Sequence, residues 1–255
     1  MKKWMAMIWI GLLTVSLTAC SSNGQTDGSQ AASSGSSSQV LQPEASSSQP
    51  PQSPAASETP SSAQAVAEEP GANLLVAYFS YAENADLPDG VDASTTASIQ
   101  SWNGETTGNT GVVAAMIAAA TGADTFSIQT VEKYPDSYNA TLDQGQEERN
   151  ANARPQLATH VENLESYDVI FLGFPNWWAD MPMAVYSFLE EADLSGKTIV
   201  PFVTSGGSGF SGAIRTIESL ESGATIQEGL SISGSSAADA QNQIHEWLRG
   251  LGYIE

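Results

Sequence analysis

The chain has 255 residues, 41% of them hydrophobic, with 29 acidic against 8 basic residues and a formal charge of -21. That balance excludes nucleic acid and anionic lipid surfaces as partners, because both repel such a chain, and it leaves a basic protein partner open. The hydrophobic share is enough for one sizeable core or two small ones, and the single cysteine, Cys20, excludes a disulfide within one chain.

Residues 1–19 open with Lys2 and Lys3, continue with the apolar run WMAMIWIGLLTVSL, and end in LTAC at Cys20. The run is shorter than the roughly 20 residues a spanning helix needs, so it reads as an export signal. The ending LTAC resembles the lipobox of bacterial lipoproteins, which implies cleavage before Cys20, lipid on its sulfur and an extracytoplasmic place on the membrane. Cleavage removes two lysines and no acids, which moves the charge from -21 to -23. Residues 20–70 are Ser, Gln, Ala, Pro and Gly with almost no large apolar side chain. They are expected to form a disordered tether with an r.m.s. reach of roughly 35–42 Å.

The pattern changes at residue 71. Residues 73–80 (NLLVAYFS), 124–130 (DTFSIQT), 168–173 (DVIFLG), 198–205 (TIVPFVTS) and 225–232 (TIQEGLSI) read as strands. Three of them are nearly continuous apolar runs, as suits a parallel sheet covered on both faces. Helical stretches fall at 111–120, within 137–153, at 183–191, 212–220 and 237–251. Five strands alternating with five helices predict a doubly wound α/β domain over 71–255, whose ligand sits at the carboxyl ends of the strands.

Taken in chain order, the loops at those ends carry chemistry. Ser80 closes the first strand, and residues 81–105 then intervene before TTGNTG at 106–111. The intervening stretch is read as a lid, a docking surface offering Trp102, or a solvated excursion. Asp86, Asp89 and Asp92 lie close together in it, but their spacing does not match an EF-hand loop. Hydroxyls and an amide around a glycine at a helix start make a neutral cradle for a phosphate, or simply a threonine-capped helix. No lysine is present there, which disfavours a P-loop nucleotidase. The third strand runs into GFPNWWADMP, with Trp177 and Trp178 in a loop bracketed by Pro175 and Pro182. The fourth runs into TSGGSGFSG, where Gly207, Gly209 and Gly212 match the dinucleotide fingerprint G-x-G-x-x-G. Its acidic partner would be Glu228, which falls within a strand rather than at its end, and this reading is set aside. His160 and His245 belong to no zinc-protease motif, and no G-x-S-x-G elbow occurs. Phosphate cradle, aromatic platform and glycine-rich loop converge on one crevice, which a flat aromatic phosphate ester fits.

YFS at 78–80, TGNT at 107–110, DVIFLGFPNWW at 168–178 and FVTSGGSG at 202–209 resemble the flavodoxin family over about 74–251. The resemblance implies a flavodoxin-like five-stranded parallel sheet of order 2-1-3-4-5 with helices on both faces. It implies FMN, with phosphate at Ser80, Thr107, Gly108, Asn109 and Thr110. The ring would lie beside Pro175, Asn176, Trp177 and Trp178, edged by Thr204, Ser205, Gly206, Gly207 and Gly209. No residue is expected to act as acid or base, and no metal is implied. The expected function is electron transfer at the outer face of the membrane to a redox protein with a basic docking surface. Two alternatives stay open: an FMN-dependent NAD(P)H:quinone oxidoreductase, and a surface binding lipoprotein that keeps the fold without the cofactor.

Overall fold

A computed structural model describes residues 72–87 and 98–255. The export signal, Cys20 and the tether lie outside the described residues, as do Asp89 and Asp92. Strand β1 (Leu74–Tyr78) is followed by a 3-10 turn at Tyr81–Glu83, then by β2 (Ile99–Trp102), β3 (Glu105–Gly108) and helix α1 (Asn109–Thr121). Next come β4 (Asp124–Ser127), α2 (Tyr138–Asn150), β5 (Val169–Pro175), α3 (Met183–Glu191), β6 (Thr198–Ser205) and α4 (Ala213–Leu220). The chain closes with β7 (Thr225–Ile226), β8 (Leu230–Ser233), a 3-10 stretch at Gly234–Asp239 and α5 (Gln241–Leu251). No helix among the described residues is long and apolar enough to cross a membrane.

The main sheet runs β4-β1-β5-β6-β7, with β8 also on β6, and every pairing in it is parallel. Counted along the chain this is the order 2-1-3-4-5. Alternation along each strand sends Leu75, Ala77, Ile170, Leu172 and Phe174 to one face, where α3 and α4 cover them. Val76, Phe171, Val200 and Phe202 go to the other face, under α1 and α5. All seven residues of β5 are buried, which is why its sequence is apolar without interruption.

Two expectations are corrected. The stretch at 225–232 is not one strand: β7 pairs with Thr198 and Ile199, β8 pairs with residues 202–205, and the gap falls beside Pro201. Proline has no N–H to give to a ladder, so the partner leaves β6 there. The stretch at 105–108 is not a loop before a helix. It pairs antiparallel with 99–102, from Ile99 with Gly108 to Trp102 with Glu105, and the hairpin feeds straight into α1. Asn103 and Gly104 turn it at φ 51° and 85°, the Asn-Gly geometry of a tight two-residue loop. Its Ile99 is buried in one core cluster and Trp102 packs against the other. The hairpin is therefore docked, and Trp102 is not a free contact.

Phe171 is fully buried and meets Trp247 and Tyr253 edge-on at 5.9 and 5.1 Å, so it fastens the C-terminal segment to the sheet. Phe171→Ala is expected to cost about 3–5 kcal/mol in urea unfolding. Replacing the exposed Val131 with alanine should change stability by less than about 0.5 kcal/mol.

Candidate functional site

The carboxyl ends of β1, β5, β6 and β8 open on one crevice of about 560 Å³. Its inner wall is Pro175, Asn176, Trp177 and Trp178, and Thr204, Ser205 and Gly206 form its floor. Asn109, Tyr81 and Ser98 line one side, Ser233, Gly234 and Ser235 another, and Tyr138, Thr141 and Leu142 of α2 face them. None of these sixteen residues carries a formal charge, so the cavity is a neutral slot with an aromatic wall and a rim of hydroxyls.

The tryptophan pair is built into this wall in two ways. Trp177 meets Phe79 at 5.5 Å and Tyr134 at 5.2 Å, both edge-on. Tyr134 in turn donates to Glu148 Oε2 at 2.9 Å, so one indole is keyed to β1, to the 128–135 segment and to α2. Trp178 donates from Nε1 to the Leu142 carbonyl at 3.3 Å. Helix α2 comes this close because Gly145 has no side chain: a Cβ there would stand 3.3 Å from the Trp177 ring and 3.7 Å from Trp178 Nε1.

The loop that presents them is a closed turn. Trp177 N–H donates to the Asp180 carbonyl at 2.9 Å and Asp180 N–H to the Trp177 carbonyl at 3.0 Å. Trp178 and Ala179 between them have φ of 55° and 62°, values that side chains beyond glycine adopt at a cost of roughly 1–3 kcal/mol each. That strain sits on the wall of the crevice, where such cost is characteristic of a site. Asn176 ties this turn to the next loop by donating from Nδ2 to the Gly209 carbonyl (2.7 Å) and to Ser211 Oγ (3.0 Å). Ser205 Oγ accepts from the N–H of Gly207 (3.2 Å) and of Gly209 (3.0 Å). Two of the fingerprint glycines thus direct their amides into their own loop, while the Gly212 N–H donates to the Ala179 carbonyl of the tryptophan turn at 3.1 Å.

Of the fourteen residues named from the sequence, eight line the crevice: Asn109, Pro175, Asn176, Trp177, Trp178, Thr204, Ser205 and Gly206. Gly207 and Gly209 shape the loop behind it. Thr110 Oγ1 is bonded to Thr204 Oγ1 at 2.8 Å and is buried. Ser80, Thr107 and Gly108 do not line the crevice: Ser80 Oγ lies against Gly108, and Thr107 Oγ1 donates to Glu83 Oε1 at 2.7 Å. Sequence reasoning missed Tyr138, Thr141 and Leu142, because only packing brings α2 over the tryptophans. It also missed Tyr81 and Ser98, through which the segment after β1 enters the wall, and Ser233, Gly234 and Ser235 at the end of β8. Tyr138 is 54% exposed and Leu142 36%, an apolar lip left open to solvent.

Two carboxyls beside the crevice are partly or largely withdrawn from water. Burial pushes the Glu83 carboxyl above its ordinary 4.5, while the hydroxyls of Thr107, Ser80 and Tyr78 and then the charge on Lys133 pull it back down. Burial likewise raises Glu148, against its bonds to Gln144 and Tyr134. Tyr78, buried next to Glu83, is pushed up to about 12, by burial first and then by the Glu83 charge.

The flavodoxin family model matches residues 103–251, more than half of the 255; β1 and the 81–83 turn lie before the match. Among solved structures, a protein from Bacteroides eggerthii DSM 20697 assigned as a flavoprotein is 27% identical, with a TM-score of 0.54, over 70% of this chain and 97% of that one. One from Bacteroides uniformis ATCC 8492, assigned likewise, is 27% identical, with a TM-score of 0.53, over 70% and 99%. A flavoprotein in complex with FMN from Lactobacillus acidophilus NCFM is 16% identical, with a TM-score of 0.46, over 67% and 99%. A comparison with curated proteins finds no match.

The raised carboxyls give a pH dependence of stability with a definite sign. In the folded state Glu83 and Glu148 hold protons above pH 4.5, where the unfolded chain has begun to release them. Their contribution is therefore fully present below that value and is lost as pH rises through the folded values. The thermal midpoints of Glu83→Gln and Glu148→Gln, read against the parent from pH 4 to 8, are expected to gain on it as pH rises. Parallel curves would show that neither carboxyl is perturbed.

Proposed function

This chain belongs to the flavodoxin family, and we propose that its crevice holds FMN and that the protein carries electrons, anchored by lipid on Cys20 at the outer face of the cell membrane. The observation that carries the reading is the neutral cavity of about 560 Å³ at the strand ends, walled by two indoles. A flat, largely uncharged ring is what such a wall accepts. The flavoprotein assignment of the two Bacteroides relatives supports the same ligand class.

In this reading Pro175, Asn176, Trp177, Trp178 and residues 204–206 hold the ring. Ser80, Thr107, Gly108, Asn109 and Thr110, at the amino end of α1, stand at the phosphate. Bound FMN supplies the redox chemistry, one or two electrons at a time. The chain's own work is to bind and orient. With no charged side chain on the wall, none is positioned there to take or give a proton, and the aromatic cluster around Trp177 fixes where the ring rests and keeps water from that side. The open lip of Tyr138 and Leu142 offers a docking patch beside the ring. The charge of -23 that cleavage before Cys20 leaves steers a basic redox partner toward it and repels nucleic acid.

One observation favours a second reading, an NAD(P)H-dependent reductase of quinones. Beside the 177–180 turn, Arg149 and Arg215 line an open depression together with Ala179, Asp180 and Ser211. Two of the few basic residues therefore meet next to the crevice, where they could receive the phosphates of a nicotinamide nucleotide.

Titration with FMN is expected to quench flavin and tryptophan emission to a one-to-one endpoint, with micromolar or tighter affinity. Trp178→Ala should weaken binding by about two- to tenfold, the worth of one aromatic contact. Steady NAD(P)H oxidation with a quinone, lost on replacing Arg149 and Arg215, would favour the reductase over the carrier. Unquenched emission at high protein concentration would leave a binding lipoprotein without the cofactor.

A further inference from the structure

The amino end of α1, the phosphate end of the proposed site, already holds an anionic group from the chain itself. Glu83 Oε1 accepts from Thr107 Oγ1 at 2.7 Å, and a Cβ built on Gly111, in the first turn of α1, would stand 2.7 Å from the same oxygen. The carboxyl therefore lies against the start of a 13-residue helix, where backbone dipoles favour negative charge. Ser80 Oγ points into the same place. Ser80 is 1% exposed, its hydroxyl, like that of Tyr78, faces the Glu83 carboxyl without closing a hydrogen bond of full geometry, and a Cβ on Gly108 would stand 2.1 Å from it. Glu83 Oε2 is buried and closes none either. Three hydroxyls, those of Thr107, Ser80 and Tyr78, thus gather on one carboxyl at a helix start, a setting that suits an anion.

The turn that delivers Glu83 is pinned independently of this contact. Asn84 donates from Nδ2 to the carbonyls of Ser80 (3.0 Å) and Ile128 (2.9 Å), and its Oδ1 accepts from Thr130 N–H (2.8 Å). Lys133 Nζ donates to the Glu83 backbone carbonyl at 2.8 Å, and no ion pair to the Glu83 carboxylate occurs among the described residues. The backbone at Glu83 is thus held by contacts that do not involve its carboxyl.

We propose that Glu83 is a built-in occupant of the anion cradle, its carboxylate standing where the phosphate of a flavin nucleotide would sit, so that ring and phosphate are held together only after Glu83 swings out. The inference rests on the flavin reading and adds a regulation to it. While Glu83 is in place the ring alone is recognised, and a phosphate approaching Thr107 and Ser80 meets a like charge.

The test compares FMN with riboflavin on the full chain, its Glu83→Gln variant and its Glu83→Ala variant. The parent is expected to bind the two flavins within about threefold of each other, because the phosphate adds little. Glu83→Ala should tighten FMN by about tenfold or more, the scale of relieving a like-charge contact, and leave riboflavin unchanged. Glu83→Gln, which keeps the shape and loses the charge, should fall between. A parent that strongly prefers FMN, or an alanine variant that moves both flavins equally, overturns the proposal. If no variant binds either flavin, the flavin reading fails by itself, and inorganic phosphate decides the rest. Phosphate that raises the thermal midpoint of Glu83→Ala and not of the parent keeps Glu83 as the occupant of an anion site. No phosphate effect on either removes it.

Discussion

Strands that run parallel must each be re-entered from the same end, so their crossovers lie over both faces of the sheet and their carboxyl ends all open on one side. In this protein the constraint is tightest at β5, which is paired on both edges and buried along its whole length. The chain can turn only beyond Pro175, and residues 176–180 are forced out at the mouth of the crevice. The two indoles stand there because the strand before them cannot bend earlier. The loop after β6 is joined to them through Asn176, so the two walls of the slot are tied directly to each other.

A second constraint is aromatic. Phe79, Tyr134 and Trp177 come from three different segments and meet edge to edge, an arrangement that fixes ring planes as well as distances. The hydroxyl of Tyr134, buried with the ring, is satisfied by Glu148 on α2. Core packing and ligand wall are therefore the same structure, and a change in one of these rings reaches the crevice directly.

Much of this was legible in the chain. Apolar runs such as VIFL and the PNWW turn announced a covered strand and an exposed platform, and the resemblance to the flavodoxin family implied the sheet order. The hairpin was not read, although Asn103-Gly104 between IQSW and ETTG is a strong local signal for one. The neighbouring TGNT drew attention to a helix start and obscured the strand that leads into it. Glu83 was passed over for a different reason. Nothing in YAEN marks a carboxyl that will be buried against a threonine 24 residues away; only the docked hairpin brings them together. The contributions of Tyr138, Thr141 and Leu142 were equally hidden, since α2 reads as a polar surface helix and its approach depends on the absence of a side chain at Gly145.

The break beside Pro201 has a consequence for the company this domain can keep. A sheet that ends in a long, flat strand offers its unpaired amides and carbonyls to any neighbour, and proteins crowded together then associate edge to edge. Here the outer strand is divided into pieces of two and four residues, and the opposite edge, β4, is only four residues long. Neither margin presents a ladder long enough to seed a cross-strand stack, so one proline in an interior strand also keeps copies of the domain from zipping together.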